Sequence, residues 1–208
     1  MKNLKIYRKR LPHIQPLNGD YFVTFRLKML LPEEISKIIS KNYVRNKNNR
    51  KNPGWKAYSE YFTIFDNYLD FAKTGPKYLA EPKIASMICE AIEYRDPIYY
   101  DLVCYTIMSN HIHMVVIDTK DYLYNAMQSL KGYTAREANK ILGRKGSFWQ
   151  VEYYDHLIRD KNDFVYHVNY TLNNPVQAGL VSKWENWKYT YMNEKYRPLL
   201  FSKNLNGI

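Results

Sequence analysis

Residues 99–118, "YYDLVCYTIMSNHIHMVVID", constrain the fold more than any other stretch of the chain. Two apolar runs, 99–108 and 111–118, are separated only by Ser109 and Asn110, a turn signal, so they read as neighbouring antiparallel strands. In the second run His111, His113, Val115 and Ile117 share one face, while Ile112, Met114 and Val116 share the other. Both faces are apolar, as in a central strand covered on both sides. The 2-residue period brings the two imidazoles to one point. That placement suits a pair of hydrogen-bonded core histidines, and it equally suits half of a metal site.

The remaining pattern fills in around this hairpin. Residues 21–28 alternate, with Tyr21, Val23, Phe25 and Leu27 facing one way and Thr24, Arg26 and Lys28 the other, which predicts a strand. Residues 153–160 read as another strand. Helices are predicted over 32–44, where Pro32 and two glutamates open the first turn, over 54–73, and over 81–95. A long basic helix follows over 124–143, interrupted by Gly132, and another over 161–174, stopped by Pro175. Strands interleaved with helices around an adjacent strand pair predict an α+β fold, with an antiparallel sheet and helices packed on it. We expect a single domain over residues 19–181, a basic N-terminal arm over 1–18, and a C-terminal extension over 182–208 that packs on the domain or on DNA.

The chain of 208 residues carries 31 Lys+Arg against 20 Asp+Glu, a formal charge of +11, which points to a polyanionic partner and to nucleic acid first. No apolar stretch approaches the roughly 20 residues that span a bilayer, and the amino terminus has charge without the apolar centre of a signal peptide. Cys89 and Cys104 stand too far apart for a disulfide framework or a zinc ribbon. A reducing cytoplasm is the expected location.

Further along, Tyr170 and Asn174 stand at i, i+4 on a predicted helix and can share a face. Two imidazoles and a side-chain amide would leave metal positions open for a phosphate oxygen, and tyrosine attack on that phosphorus would conserve the bond energy for rejoining. With 21 tyrosines in the chain, spacing alone does not select Tyr170.

Several motifs in order carry a resemblance. "YTIMSNHIHMVV", "MQSLKGYTAREAN", "GSFWQVEYYDHLIRD" and "YTLNNPVQAGLV" resemble the HUH single-tyrosine transposases, most closely the REP-associated tyrosine transposase branch of the IS200-like transposases. Ser109 stands where that family usually has proline. "FDNYLD" and the segment 74–92 are similar to it as well, so the likeness covers most of residues 1–181. The resemblance implies a ferredoxin-like sheet carrying the histidines. It implies Mg²⁺ or Mn²⁺ held at His111 and His113, and Tyr170 as the nucleophile that forms a 5′-phosphotyrosine on single-stranded DNA. The family often places a Gln four residues after the tyrosine as third ligand, and Asn174 stands there. Asn173, Asp155 and His156 are rivals for that role, and Tyr166 is the rival nucleophile. By ligand chemistry alone imidazoles suit zinc better than magnesium, so the metal rests on the resemblance.

The family's substrate is an imperfect DNA hairpin with a short single-stranded flank, which would place the protein in the bacterial nucleoid as a monomer or homodimer. Candidate DNA contacts are Arg8, Lys9 and Arg10 on the arm, and Lys131, Arg136, Lys140, Arg144 and Lys145 around the long helix. Tyr133, Phe148 and Trp149 could stack on unpaired bases or belong to the core. Three functions are weighed. The first is a metal-dependent single-strand endonuclease and strand transferase acting near palindromic hairpin repeats. The second is a domesticated hairpin-binding protein of the same fold with little or no cleavage. The third, a zinc hydrolase, lacks a further clustered His/Asp motif in the sequence near the His pair.

Overall fold

The computed structural model describes residues 4–8, 12–37, 55–72 and 74–201. The chain divides into two compact units, residues 1–28 with 77–208, and residues 29–76.

In the larger unit, β1 (Leu4–Arg8) and β2 (Pro12–Pro16) form an antiparallel pair. Within the segment expected to be an extended basic arm, residues 4–8 and 12–16 are thus paired strands. The main sheet has five antiparallel strands in the order β6-β3-β5-β4-β7, made by β3 (Tyr21–Arg26), β4 (Asp101–Ile107), β5 (His111–Ile117), β6 (Tyr154–Leu157) and β7 (Thr190–Met192). The histidine strand is central, as its two apolar faces require, and the chain reverses at Ser109-Asn110, where Met108 N–H donates to the His111 carbonyl at 2.9 Å. β7 comes from the C-terminal extension, and Trp187 anchors it by donating its indole N–H to the Ile107 carbonyl. The α+β class with an antiparallel sheet is thus the architecture found.

One face of the sheet holds the main core. Val23, Phe25, Leu102, Ile107, Ile112 and Met114 pack with Ile84, Ile88 and Ile92 of α2 (Pro82–Glu93) and with Leu123, Met127 and Leu130 of α3 (Leu123–Ile141). Each such fully buried side chain contributes roughly 1.5–3 kcal/mol. Phe148 and Trp149 join this core, with the Trp149 indole N–H donating to Thr134 Oγ1, so they are not a stacking platform. Gly132 does not interrupt α3, which runs through it without a break.

The other face is covered by α4 (Lys161–Gln177). Asp160 caps this helix by accepting the Asp163 N–H at 2.9 Å. Its end differs from expectation, because Pro175 lies inside the helix. A proline forfeits one N–H and one bond to the preceding turn, which here falls in the last turn, where the helix continues to Gln177. Termination comes instead from Gly179 at φ +70°, whose N–H donates to the Val176 carbonyl while the Leu180 N–H reaches the Pro175 carbonyl. This is a Schellman end, and it asks for a left-handed residue. A Cβ at Gly179 would meet no neighbouring atom within 4 Å, so only the backbone conformation resists substitution. Gly179→Ala should cost about 1–2 kcal/mol, read as a melting temperature lower by roughly 2–8 °C.

In the second unit residues 33–37 are helical and α1 spans Trp55–Phe71, with Phe62, Phe65 and Leu69 buried at helical spacing. The rest of the helix expected over 32–44 lies outside the described residues. Among the described residues no helix is long and apolar enough to cross a membrane.

Candidate active site

Register explains how the second face of the sheet becomes polar yet buried. Thr24, His113 and Thr106 stand directly opposite one another across β3, β5 and β4, with Phe22, Val115 and Cys104 in the next row. Arg26 pairs with His111. Under α4, His111, His113 and Thr106 are fully buried, as are Thr171 and Asn174 of the helix itself. A polar layer of this kind is costly unless its groups are bonded.

Both histidines are held from behind. His111 Nδ1–H donates to Asn110 Oδ1 at 2.6 Å, and His113 Nδ1 bonds Thr24 Oγ1 at 2.7 Å. With Nδ1 carrying the proton, a neutral imidazole presents its lone pair at Nε2, which is how second-shell bonds orient ligating histidines. The rings lie 4.7 Å apart at 77°, with a ring nitrogen of each within 4.8 Å of the other. Burial, with His111 beside it, pushes His113 well below the ordinary histidine range. It is therefore neutral at pH 7, the state a metal ligand needs. The donor set and the bonding behind it fit a divalent ion.

Tyr170 projects from α4 onto this pair. Its ring meets His113 edge to face at 5.5 Å and Phe22 at 5.7 Å, and it is partly exposed. Tyr166, one turn earlier, is 63% exposed, stacks on Tyr170 at 6.3 Å and meets His167 edge to face at 5.0 Å. One turn later Asn174 is fully buried, whereas Asn173 turns back to donate to the Asn169 carbonyl.

The other rivals separate by strand parity. Asp155 pairs with Val23 and so faces away from His113, where its carboxylate accepts from His13 Nδ1 at 2.5 Å and Gln15 Nε2 at 2.8 Å. It is a structural residue of β6. His156 pairs with Phe22 on the histidine face, but binds Asp163 of α4 through Nε2 at 2.8 Å. Asp163 and His167, which complete that cluster, escaped the sequence reading, although their i, i+4 spacing on a helix was a readable signal.

The expected DNA contacts are scattered. Arg8 ends β1, and Lys9 and Arg10 lie outside the described residues. Lys131 donates to the Gln150 and Val151 carbonyls. Arg136 and Lys140 share Glu137, Arg144 lies over the Tyr78 ring at 5.0 Å, and Lys145 is exposed. Helix α3 covers the core face of the sheet, so its Lys131, Arg136 and Lys140 belong to the layer opposite Tyr170.

With this geometry in place, the comparisons with known proteins can be read. Residues 80–168 match the family model "Transposase IS200 like". Over that segment the chain is similar to the IS200-like transposases. The matched segment takes in His111 and His113 and ends at Val168, before Tyr170. A Haemophilus influenzae protein described as "Putative REP-associated tyrosine transposase" is 24% identical over 119 residues, covering 52% of this chain and 68% of its own. The chain is also similar to a solved structure described as "Structure of the REP associates tyrosine transposase bound to a REP hairpin". That likeness has a TM-score of 0.45 and 15% identity, over 88% of this chain and 80% of that one. IS200-like likeness accords with the resemblance drawn from the motifs.

Proposed function

We propose that this protein is a metal-dependent single-strand DNA endonuclease and strand transferase that cuts beside a hairpin and rejoins through a 5′-phosphotyrosine. The observation that carries the reading is Tyr170 seated against His113, with the two imidazoles oriented from behind by Asn110 and Thr24. Mg²⁺ or Mn²⁺ would be held by His111 and His113, with Asn174 as third ligand, and would supply Lewis-acid polarisation of a phosphate oxygen.

The chain's own residues then do the following. Tyr170 Oη attacks the phosphorus, its proton leaving to solvent, and the P–O3′ bond breaks. The 3′ oxygen departs and takes up a proton, while the 5′ phosphate stays on the tyrosine. Attack by a 3′ hydroxyl on the phosphotyrosine reverses the step, and the protein is regenerated without an external energy source. Phe22, packed against both His113 and Tyr170, positions the phenol and limits water around it.

The decisive experiment incubates the full chain with a labelled hairpin carrying a single-stranded flank, with and without Mn²⁺. A metal-dependent covalent adduct that survives denaturation is expected. Hairpin binding with no adduct would overturn cleavage in favour of a hairpin-binding protein of the same fold.

For DNA affinity, Lys131, Arg136 and Lys140 are the proposed hairpin contacts. Replacing all three by Ala should weaken binding and flatten its salt dependence by roughly 0.7–0.9 in log–log slope per lost phosphate contact. An unchanged slope removes them from the interface. Because these residues lie in the layer opposite Tyr170, the substrate must pass the sheet edge, a path open to a flexible single-stranded flank.

A further inference from the structure

We propose that His156, Asp163 and His167 form a second metal site, distinct from the His111/His113 pair, that takes an ion of the zinc class. His156 comes from β6, while Asp163 and His167 stand one turn apart on α4. Ligand atoms of all three lie within 4.8 Å of one another. His156 Nε2 is 2.8 and 3.0 Å from the two Asp163 oxygens, and His167 Nδ1 is 3.0 Å from Asp163 Oδ1. The two imidazoles stack at 4.4 Å and 26°, so a strand and the helix that follows it aim rings at one residue.

Ligands bound tetrahedrally at 2.0–2.1 Å stand about 3.3 Å apart, so outward movements of a few tenths of an ångström would admit an ion. It would replace the proton between His156 Nε2 and the Asp163 carboxylate and the one that His167 Nδ1 donates to the Asp163 backbone carbonyl at 2.9 Å, each proton moving to the other ring nitrogen or to solvent. Two imidazoles and a carboxylate select zinc and its neighbours over magnesium, and three protein ligands leave a position for water. The side chains are 17%, 20% and 10% exposed for His156, Asp163 and His167, so the ion has a way in. Asp163 is also oriented by the Arg159 N–H, which donates to its Oδ2 at 3.1 Å.

Protonation is favourable too. Burial holds His167 below the ordinary histidine range. For Asp163, burial opposes ionisation, but the His156 bond, the neighbouring His156 and His167 and the Arg159 N–H together keep the carboxyl below its ordinary range. Phe22 stands between the two histidine pairs, 5.7 Å from the His113 ring and 4.7 Å from the His167 ring. An ion at His156, Asp163 and His167 would clasp β6 to the first two turns of the helix that carries Tyr170.

Co²⁺ titration of the chelator-stripped full chain tests this, since tetrahedral Co²⁺ absorbs in the visible. The H111A/H113A variant should still bind one equivalent, with visible absorption and a raised melting temperature. H156Q/H167Q should remove one equivalent whatever the His111/His113 pair binds, and D163N, the milder change, should weaken the same site. The proposal is overturned if H111A/H113A, folded by circular dichroism, binds no Co²⁺, or if H156Q/H167Q and D163N leave stoichiometry and spectrum unchanged. Because the readout is metal binding and not cleavage, it fails or succeeds separately from the transferase reading.

Discussion

Tyr170→Phe should abolish covalent DNA adducts, a loss of about a thousandfold or more, while leaving hairpin affinity and thermal stability close to those of the parent. The substitution removes only Oη. The phenyl ring keeps its edge-to-face contacts with His113 at 5.5 Å and Phe22 at 5.7 Å, so no cavity opens and the two histidines keep their packing. Tyr166→Phe should retain adduct formation, because that ring stacks on Tyr170 and stands mostly in solvent. A denaturing gel of each variant with labelled hairpin and Mn²⁺ separates the two. Adducts persisting in Tyr170→Phe, or vanishing only in Tyr166→Phe, would move the nucleophile one turn up the helix.

The central strands were legible because their side chains obey a period of two under strong burial. In 111–117 both parities are apolar or histidine, and only a central strand satisfies that. Helix 161–177 was legible at its start but not at its end. The sequence pattern predicts a stop at proline, whereas a proline in the last turn costs little and the stop belongs to Gly179. What sequence could not supply was inter-strand register. Asp155 and His156 are adjacent in the chain, and only pairing with Val23 and Phe22 sends them to opposite faces of the sheet. Composition misled over residues 1–18, where a basic count obscured His13 and Gln15, two polar side chains buried against β6.

Those two residues carry the largest stability effect expected outside the core. Asp155→Ala should destabilise the protein by about 3–5 kcal/mol, because it removes the buried charged acceptor that the His13 imidazole and the Gln15 amide share, leaving them Glu152 and Tyr153 respectively. For a chain of this size that is a fall in melting temperature of roughly 6–20 °C.

The same pair has a pH signature. Burial opposes charge on His13, but the Asp155 and Glu152 carboxylates outweigh it and hold its pKa up to about 9 against 6.5 unfolded. A raised folded pKa gives stability that is fully present below pH 6.5 and is lost as pH rises through 9. The wild-type protein should lose about 2–3 kcal/mol across that window. Asp155→Asn should flatten most of the change, since an amide accepts the hydrogen bond but does not favour the imidazolium. Melting curves at intervals from pH 6 to pH 10 read both variants against the parent. A parallel decline in Asp155→Asn would mean that some other group drives the loss, and that the β2–β6 contact holds with His13 uncharged.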